Sequence, residues 1–182
     1  MKILNFLFGL VILIILLPFH IIISLFIIRD GGPIFYKQER VGFRDGCFYI
    51  YKYRTMVVNA DKIGGYSTVN GDHRITKVGC FLRKYSIDEL PQCINLLNGT
   101  MSLVGPRPNV RAQQSDYDDL DWNKRCSVFP GITGLAQATL RSEANFDQRL
   151  ALDLEYVDKK SFIFDILIVF KTIKQVVFKG GW

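Results

Sequence analysis

The chain has 182 residues, and its 23 lysine and arginine residues outnumber the 17 aspartate and glutamate residues to give a formal net charge of +6. This length allows one domain plus a membrane element, and the basic excess favours polyanionic partners such as lipid headgroups and nucleotides. No DNA- or RNA-binding motif accompanies the charge, so no nucleic acid partner is expected. The absence of a CxxC pair favours buried or free thiols in a reducing compartment over a zinc or redox centre for the four cysteines, Cys47, Cys80, Cys93 and Cys126.

The chain begins with an apolar segment, residues 3–28, which contains 26 residues and no charge. As a straight helix it would be about 39 Å long, more than the ~30 Å hydrocarbon core of a bilayer. It is too long for a signal peptide, and no small-residue cleavage site follows it. The segment therefore predicts a retained membrane anchor.

Pro18 lies past the middle of this segment and lacks an N–H group, so it should break or kink the helix. Two topologies follow. The helix dips into one leaflet and returns, or it spans the bilayer with a kink, which is the commoner case on sequence grounds. Only Lys2 precedes the segment, whereas four basic residues follow it, so the globular part is expected in the cytoplasm under either topology: Arg29, Lys37, Arg40 and Arg44.

Turn and strand signals follow the anchor. Residues 30–33 read Asp-Gly-Gly-Pro and predict a turn. Residues 34–36 and 48–51 are aromatic and β-branched, which predicts two short strands paired around the glycines at 42 and 46. Residues 59–71 are polar and contain glycine, so a loop is expected there.

Helical spacing dominates the rest of the chain. Residues 76–84, 89–97 and 146–156 show it. The prolines of residues 105–108 require an extended or turned backbone, and residues 129–134 are predicted to form a rigid loop. Residues 161–178 are strongly apolar with interspersed lysines, which fits a helix in the membrane interface and equally well a helix packed on the protein core.

The run from Arg83 to Gln92 places two adjacent carboxylates, Asp88 and Glu89, beside basic residues at the predicted start of a helix. One interpretation is structural. Ser86 and Glu89 have the spacing of a capping box, and acidic residues in a first turn favour the helix dipole. Considered alone, the run favours this interpretation.

Cations from four separate segments favour a chemical role for the two carboxylates. A diphosphate needs several cations, and guanidinium groups match phosphate oxygens in geometry. Mg²⁺ takes one or two carboxylates plus substrate phosphates, and a carboxylate can attack phosphorus to give an acyl phosphate. Asp88 and Glu89 would project about 100° apart on a helix, so divided roles are expected. The cations are Lys52, Arg54, Arg83, Arg107 and Arg141.

Six segments in order resemble the bacterial sugar transferases, within the small monotopic phosphoglycosyl transferase class, and together they make the match specific. The resemblance covers nearly the whole chain. The segments are residues 30–35 (DGGPIF), 38–42 (QERVG), 52–56 (KYRTM), 82–92 (LRKYSIDELPQ), 101–108 (MSLVGPRP) and 130–137 (PGITGLAQ).

The resemblance implies a reaction: transfer of a phosphosugar from a UDP-sugar to a polyprenyl phosphate, usually undecaprenyl phosphate, with release of UMP. This is the first membrane step of surface glycan or glycoconjugate assembly. Asp88 would be the nucleophile that forms a covalent phosphosugar intermediate and would lie at a Mg²⁺ ion, and Glu89 would assist the attack of the lipid phosphate. The implied substrate-binding residues are Lys52, Arg54, Arg83, Arg107, Gln137 and Arg141.

The expected fold is mainly α with short β elements. By the resemblance, residues 1–29 form a re-entrant (monotopic) membrane helix kinked at Pro18, and residues 30–182 form a compact cytoplasmic domain with interfacial amphipathic helices, at the bacterial inner membrane. The expected partners are the two substrates, membrane lipids and downstream glycosyltransferases, and a homo-oligomer remains open. Two departures from the family pattern are Leu17, where serine often precedes the proline, and the sequence Ala138-Thr139-Leu140-Arg141 in place of Val-Asn-Gly-Arg.

Two other functions fit the charge and the anchor. One is a non-enzymatic, membrane-anchored module for anionic lipid or nucleotide, in which Asp88 and Glu89 serve only as capping residues. The other is a metal-dependent phosphohydrolase that uses the same pair with water. UMP release that requires polyprenyl phosphate distinguishes the transferase from both.

Overall fold

The computed structural model describes residues 2–64, 71–140 and 145–179. Over these ranges the chain is mostly helical with short strands, as the sequence predicts. The helices are α1 (Lys2–Ile15), α2 (Leu17–Arg29), α3 (Ala60–Ile63), α4 (Lys77–Lys84), α5 (Cys93–Leu97), α6 (Asp119–Cys126), α7 (Leu135–Leu140), α8 (Phe146–Lys159) and α9 (Phe162–Lys179). The strands are β1 (Phe35–Val41), β2 (Cys47–Tyr53), β3 (Ser102–Val104) and β4 (Gly131–Thr133). Three 3₁₀ helices connect them, Phe43–Asp45, Ile87–Gln92 and Arg111–Asp116.

The N-terminal apolar segment forms two helices rather than one. The break falls at Leu16, and Pro18 lies in the first turn of α2, where its missing N–H costs no helical bond. No single helix in the described ranges has the length and apolar composition to cross a bilayer, but Ile3–Ile15 and Leu17–Arg29, bent by 64°, meet that criterion as a pair. The expected break at Pro18 is confirmed.

Helix α1 lies against the globular part of the protein. The Asn5 side-chain amide donates to Ser102 Oγ (3.1 Å) and accepts from the Leu103 backbone N–H (3.3 Å), which ties α1 to β3. Gly9 approaches α5 so closely that a Cβ there would lie 2.9 Å from the Leu96 Cβ atom. A polar anchor and a close approach thus hold the first half of the bent pair.

Helix α2 also packs on the globular part of the protein. Ile27 is only 1% exposed and packs with Tyr53 and Leu82. The Arg54 guanidinium donates to the carbonyl of Ile27 (2.8 Å) and to that of Gly31, both at the C-terminal end of α2. The Ile27 carbonyl also accepts from the Asp30 N–H, so Arg54 adds a second donor there and one donor to the turn that follows α2.

The β1–β2 hairpin is antiparallel, with Phe35 opposite Tyr53 and Val41 opposite Cys47. The predicted pairing is confirmed, although both strands are longer than the pattern indicates. Residues 43–45 form the turn, where Arg44 and Asp45 have positive φ angles of 53° and 61°. The hairpin carries Lys52 near the end of β2.

Helix α4 follows the sequence signal closely. Thr76 caps it by accepting the Gly79 N–H at 2.9 Å. Gly79 packs directly on the chain after β2, because a Cβ there would lie 2.0 Å from the Thr55 carbonyl oxygen. The predicted helix over residues 89–97 is divided into a 3₁₀ helix that contains Pro91 and the short helix α5.

A second core forms around β3 and β4, which pair in parallel with Ser102 opposite Gly131 and Val104 opposite Thr133. The prediction of a rigid loop over residues 129–134 is therefore wrong, because residues 131–133 are a strand. Helices α7, α8 and α9 cover this pair. The core residues are Val104, Leu135, Ala138, Tyr156 and Ile168.

Helices α8 and α9 confirm the predicted helical segments. Helix α9 buries Ile168 on the core, whereas Ile163 (71% exposed) and Phe170 (67%) face outward. The packing on the protein core is thus confirmed for one face, and the other face is apolar and uncovered by the described residues, so the membrane-interface alternative stays a prediction. The predicted loop over residues 59–71 contains the short helix α3, and residues 65–70 lie outside the described residues.

Candidate active site

Asp88 and Glu89 lie in the 3₁₀ helix Ile87–Gln92, directly after α4. The predicted capping box is wrong. Ser86 has a left-handed backbone (φ 55°) and makes no side-chain capping bond, and the Glu89 carboxylate bonds to cations from other elements instead. In a 3₁₀ helix consecutive side chains project about 120° apart, so the two carboxylates face different surroundings.

Glu89 is held between two cations. Its Oε1 atom accepts from Lys52 Nζ at 2.7 Å and from Arg107 Nη2 at 2.8 Å. Burial alone would raise the pKa of Glu89, but the charges and hydrogen bonds of Arg107 and Lys52 outweigh it and lower that pKa overall. Glu89 is therefore ionised at neutral pH and fixes the positions of both cations.

Asp88 differs in having no such partner. No hydrogen bond or ion pair to its carboxylate forms within the part of the chain that the structure describes. Burial raises the pKa of Asp88, the charge of Lys52 opposes that rise, and the neighbouring Glu89 adds to it. A carboxylate without a partner beside several cations is available to act on a substrate.

Arg83 adds a third cation to this surface. Its Nε donates to Thr55 Oγ1 at 2.8 Å, which fixes the guanidinium against the chain that follows β2. Burial lowers the pKa of Arg83, whereas the negative charge of Asp88 raises it. Arg83, Lys52 and Arg107 thus surround Asp88 from three different segments.

Arg40 belongs to the same surface and was missed from the sequence. It lines a crevice with Lys52, Gln92 and Arg107, and the cavity of about 10 Å³ has room for about one water. Its Nη1 donates to the Pro108 carbonyl at 3.2 Å. Burial lowers the pKa of Arg40 to about 10, and the charge of Arg107 acts in the same direction.

A sequence signal for Arg40 does exist. Side chains alternate faces along a strand, and directly opposite residues of an antiparallel pair share a face. Tyr36 lies opposite Lys52, and Arg40 lies four residues beyond Tyr36, so Arg40 and Lys52 share a face once the hairpin register is known.

Two of the predicted substrate-binding residues make no bond to Asp88 or Glu89 within the described residues, and a third lies outside them. Arg54 is buried, and the groups that it contacts are the carbonyls at the end of α2 rather than the surface around Asp88. Gln137 lies in α7, where both polar atoms of its amide are buried without a hydrogen-bond partner among the described residues. Arg141 lies outside the described residues.

The described residues offer one carboxylate ligand for a Mg²⁺ ion rather than a complete metal site. No group of three or more histidine, cysteine or acidic side chains arranged for a metal occurs within the described ranges. Mg²⁺ rarely uses an all-protein cage, however, and is bound through one or two carboxylates plus substrate phosphates. Asp88, whose carboxylate has no partner in the described chain, is the side chain that can supply such a ligand.

Comparison with known proteins identifies the family. Residues 1–179 match the protein-family model for the bacterial sugar transferases. The chain belongs to this family. The resemblance found from the six sequence segments is thereby confirmed, together with the assignment to a family of transferase enzymes.

Several relatives with assigned names are similar over most of the chain. It is 40% identical to the undecaprenyl-phosphate galactose phosphotransferase of Salmonella typhimurium over 95% of its length and 39% of that protein. It is 44% identical to the UDP-glucose:undecaprenyl-phosphate glucose-1-phosphate transferase of Escherichia coli over 84% of its length and 34% of that protein. It is also 38% identical to the exopolysaccharide production protein ExoY of Sinorhizobium fredii, here over 90% of its length and 78% of that protein. The chain thus spans about two fifths of the Salmonella relative and most of ExoY.

Proposed function

We propose that this protein transfers a phosphosugar from a UDP-sugar to a polyprenyl phosphate, undecaprenyl phosphate by the names of its relatives, and releases UMP. Family membership and those names support this reaction class. The sugar stays open, because the relatives that are named for a sugar differ in it: galactose, glucose and N-acetylgalactosamine all occur.

The observation that carries the proposal is the different environment of two adjacent carboxylates. Glu89 is held by Lys52 and Arg107, whereas Asp88 has no partner in the described chain and lies among the same cations. If both carboxylates served only to balance charge, each would be expected to pair. The unpaired one is suited to nucleophilic attack.

The first step follows from this arrangement. An Asp88 carboxylate oxygen attacks the phosphorus that bears the sugar. The bond from that phosphorus to the bridging oxygen of the diphosphate breaks, and UMP leaves with the bonding electrons. Lys52, Arg83 and Arg107 stabilise the charge on the phosphate oxygens, because cations placed before the reaction need no reorganisation as charge develops. The product is an acyl phosphate, in which the phosphosugar is joined through its phosphorus to an Asp88 carboxylate oxygen.

The second step returns the enzyme. An oxygen of the polyprenyl phosphate attacks the same phosphorus, the acyl phosphate bond to Asp88 breaks, and a polyprenyl diphosphate sugar forms. A phosphate monoester is largely dianionic at neutral pH, so this nucleophile needs no proton removed. Glu89, whose pKa is lowered, would be a weak base. Glu89 therefore assists the attack by holding Lys52 and Arg107 in place.

A bound Mg²⁺ would neutralise charge on the diphosphate and so make UMP a better leaving group. Asp88 would be its protein ligand before it acts on phosphorus, and the substrate phosphates would supply the rest. The cations of the site would keep the sugar-bearing phosphate near Asp88.

The contacts of the bent helix pair support a re-entrant topology. Both halves dock on one body, through Asn5 and Gly9 in α1 and through Ile27 in α2. The seven residues from Gly9 to the break at Leu16 would extend about 10 Å, which is within one leaflet of a ~30 Å core. The exposed apolar face of α9 would lie in the same interface. We propose the cytoplasmic side of the inner membrane for residues 30–182, because four basic residues closely follow the apolar segment and only one precedes it.

A panel of UDP-sugars assayed for UMP release tests the proposal. Purified protein in detergent, with Mg²⁺ and undecaprenyl phosphate, should release UMP with at least one donor, and omission of the lipid should stop turnover. Sustained release without lipid would indicate a hydrolase. An absence of turnover across the panel, from a folded protein, would contradict the proposal and favour a binding module.

The covalent intermediate has its own signature. With Mg²⁺ and its UDP-sugar but no lipid, the protein should release about one UMP per active site and then stop. The intact mass should rise by one phosphosugar, the adduct should map to Asp88, and polyprenyl phosphate should remove it. A protein that turns over yet shows neither burst nor adduct under rapid quench would instead use direct transfer in a ternary complex.

A further inference from the structure

The segment that carries Arg107 has no regular secondary structure, yet main-chain bonds hold it on several sides. We refer to residues 105–109 as the Arg107 loop. Gly105 N–H donates to the Thr133 carbonyl at 2.9 Å, and the Pro106 and Asn109 carbonyls accept from backbone N–H groups of β4 and β1. Two prolines in the loop remove N–H donors, so carbonyl contacts are the main means of fixing it.

Two guanidinium groups hold consecutive carbonyls of this loop. Arg40 Nη1 donates to the Pro108 carbonyl at 3.2 Å, and Arg125 Nη2 donates to the carbonyl of Arg107 itself. Arg40 also lines the crevice with Lys52 and Arg107, so its position at the site itself can explain its presence. The position of Arg125 is not explained in this way, because Arg125 extends from α6 and is only 5% exposed.

Arg125 is in turn held from the far side. Its Nε donates to Asp153 Oδ2 of α8 at 2.8 Å, and both side chains of this ion pair are at most 5% exposed. The guanidinium also lies over the Tyr117 ring, 5.7 Å from its centroid. The planar fork of arginine therefore joins a buried carboxylate on one edge to the Arg107 carbonyl on another.

Stability alone does not account for this pair. Desolvation of two buried charges offsets their attraction, and apolar replacements of similar volume are often neutral or stabilising. The second carboxylate oxygen, Asp153 Oδ1, is buried with no hydrogen-bond partner among the described residues, which adds to the cost. A buried charge pair with an incomplete hydrogen-bond set suggests a benefit elsewhere.

We propose that Arg125, held by Asp153, is a positioning residue for the transfer reaction: its bond to the Arg107 carbonyl fixes the loop so that the Arg107 guanidinium meets Glu89 beside Asp88. The inference rests on the proposed function. Arg125 touches neither carboxylate of the site in the described contacts, so it acts through the Arg107 main chain. No local sequence signal announces it, because residues 107, 125 and 153 are far apart along the chain.

The test replaces the buried pair by apolar residues, Arg125→Met with Asp153→Leu, which removes the carbonyl bond without leaving a lone buried charge. The matched control is Lys124→Gln with Asp158→Asn. That exposed pair, 2.8 Å apart, joins the same two helices but does not touch the loop. Tm should stay near the parental value in both. UMP release should fall about 10- to 100-fold in the apolar variant, the scale of a small misplacement of catalytic groups, and stay parental in the control.

A double-mutant cycle separates positioning from general damage. In an Arg107→Ala background the apolar pair should cause little further loss, because the side chain that it positions is gone. Parental activity in the folded apolar variant, or a full additional loss on top of Arg107→Ala, would overturn the inference. A parental protein that releases no UMP would instead count against the proposed function.

Amide hydrogen exchange tests the inference without activity. The Val41 and Gly131 amides donate to the Asn109 and Pro106 carbonyls at the two ends of the loop. Both should exchange faster in the apolar variant and at parental rates in the control. Unchanged exchange at both amides in the folded apolar variant would show that Arg125 does not hold the loop, and would overturn the inference even if the transfer reaction were never observed.

Discussion

Asp88 and Glu89 are adjacent in one 3₁₀ helix, but their carboxylates have different electrostatic surroundings. Glu89 meets Lys52 and Arg107 and keeps its charge, whereas Asp88 lies beside the same cations without pairing. The division follows from backbone geometry, since neighbouring side chains diverge by about 120°. One residue can therefore organise the cations while the other acts on phosphorus.

Asp88→Asn should reduce UMP release by at least about 1,000-fold. The amide keeps the shape of the side chain, so the fold should persist, but it is a poor nucleophile and a poor metal ligand. The measurement is UMP release and adduct formation, with Tm as the control for folding. Near-parental release from a folded Asp88→Asn protein would remove Asp88 from the nucleophile role.

The pH dependence of the reaction should report on Asp88. The nucleophile must be ionised, so activity is present above the Asp88 pKa and is lost as the pH falls through it. Burial raises that pKa, and the charge of Lys52 opposes the rise. Lys52→Met should therefore move the acid limb of kcat/KM to higher pH, because the charge that opposes the rise is gone. The other charged groups facing Asp88 stay in place: Glu89, Arg83 and Arg107. An acid limb that does not move would show that another group controls it.

At the scale of elements, Arg54 fastens α2 to the hairpin. Its guanidinium donates to two carbonyls at the helix end, those of Ile27 and Gly31. Arg54→Met should lower the free energy of unfolding by on the order of 3 kcal/mol, because two charge-assisted hydrogen bonds are lost. Thermal unfolding in detergent measures the effect, with Arg44→Met on the exposed hairpin turn as the control.

The same variant decides between two roles for Arg54. Activity per folded molecule should stay near parental at a temperature where Arg54→Met is folded, because no contact of Arg54 reaches the carboxylates in the described structure. A loss of activity with unchanged stability would restore the sequence-based assignment of Arg54 to substrate binding.

Local signals predicted the local elements, and long-range contacts decided the rest. Helical spacing over residues 76–84 predicted α4, because that spacing and the Thr76 cap found in the structure both involve only near neighbours. The sequence predicts a loop at β4 because the partner strand β3 lies almost thirty residues earlier, and parallel pairing leaves no turn signal between the strands. Ser86 had the capping-box spacing, but its left-handed backbone directs the chain away from the capping geometry.

Charge and motif order predicted which side chains lie near the two carboxylates only in part, and the catalytic roles stay predictions. Lys52, Arg83 and Arg107 do meet around Asp88 and Glu89. Arg54 makes no contact with them among the described residues, because its buried guanidinium bonds to the carbonyls of Ile27 and Gly31. A sequence motif therefore shows that a positive charge is present, but it does not show which way the side chain points.

For the whole molecule, the decisive feature is that one body holds both ends of the apolar segment. Asn5 bonds to β3 near one end, and Ile27 is buried near the other. A straight helix over residues 3–28 would separate its ends by about 39 Å and could not keep both contacts. The bend at Leu16 and Pro18 lets them coexist.

This geometry predicts that both ends of the segment face the cytoplasm. In intact cells, Lys2→Cys should resist an impermeant thiol reagent and react only after permeabilisation. Cys47 and Cys80, which are exposed on the globular part, serve as internal reporters of its side. Pro18→Ala permits a backbone bond across the break and should shift part of the population towards spanning, seen as labelling of Lys2→Cys from outside. Labelling of Lys2→Cys in the otherwise parental chain, with Cys47 and Cys80 still protected, would instead show that the helix pair spans the bilayer and that its docking contacts do not form in the membrane.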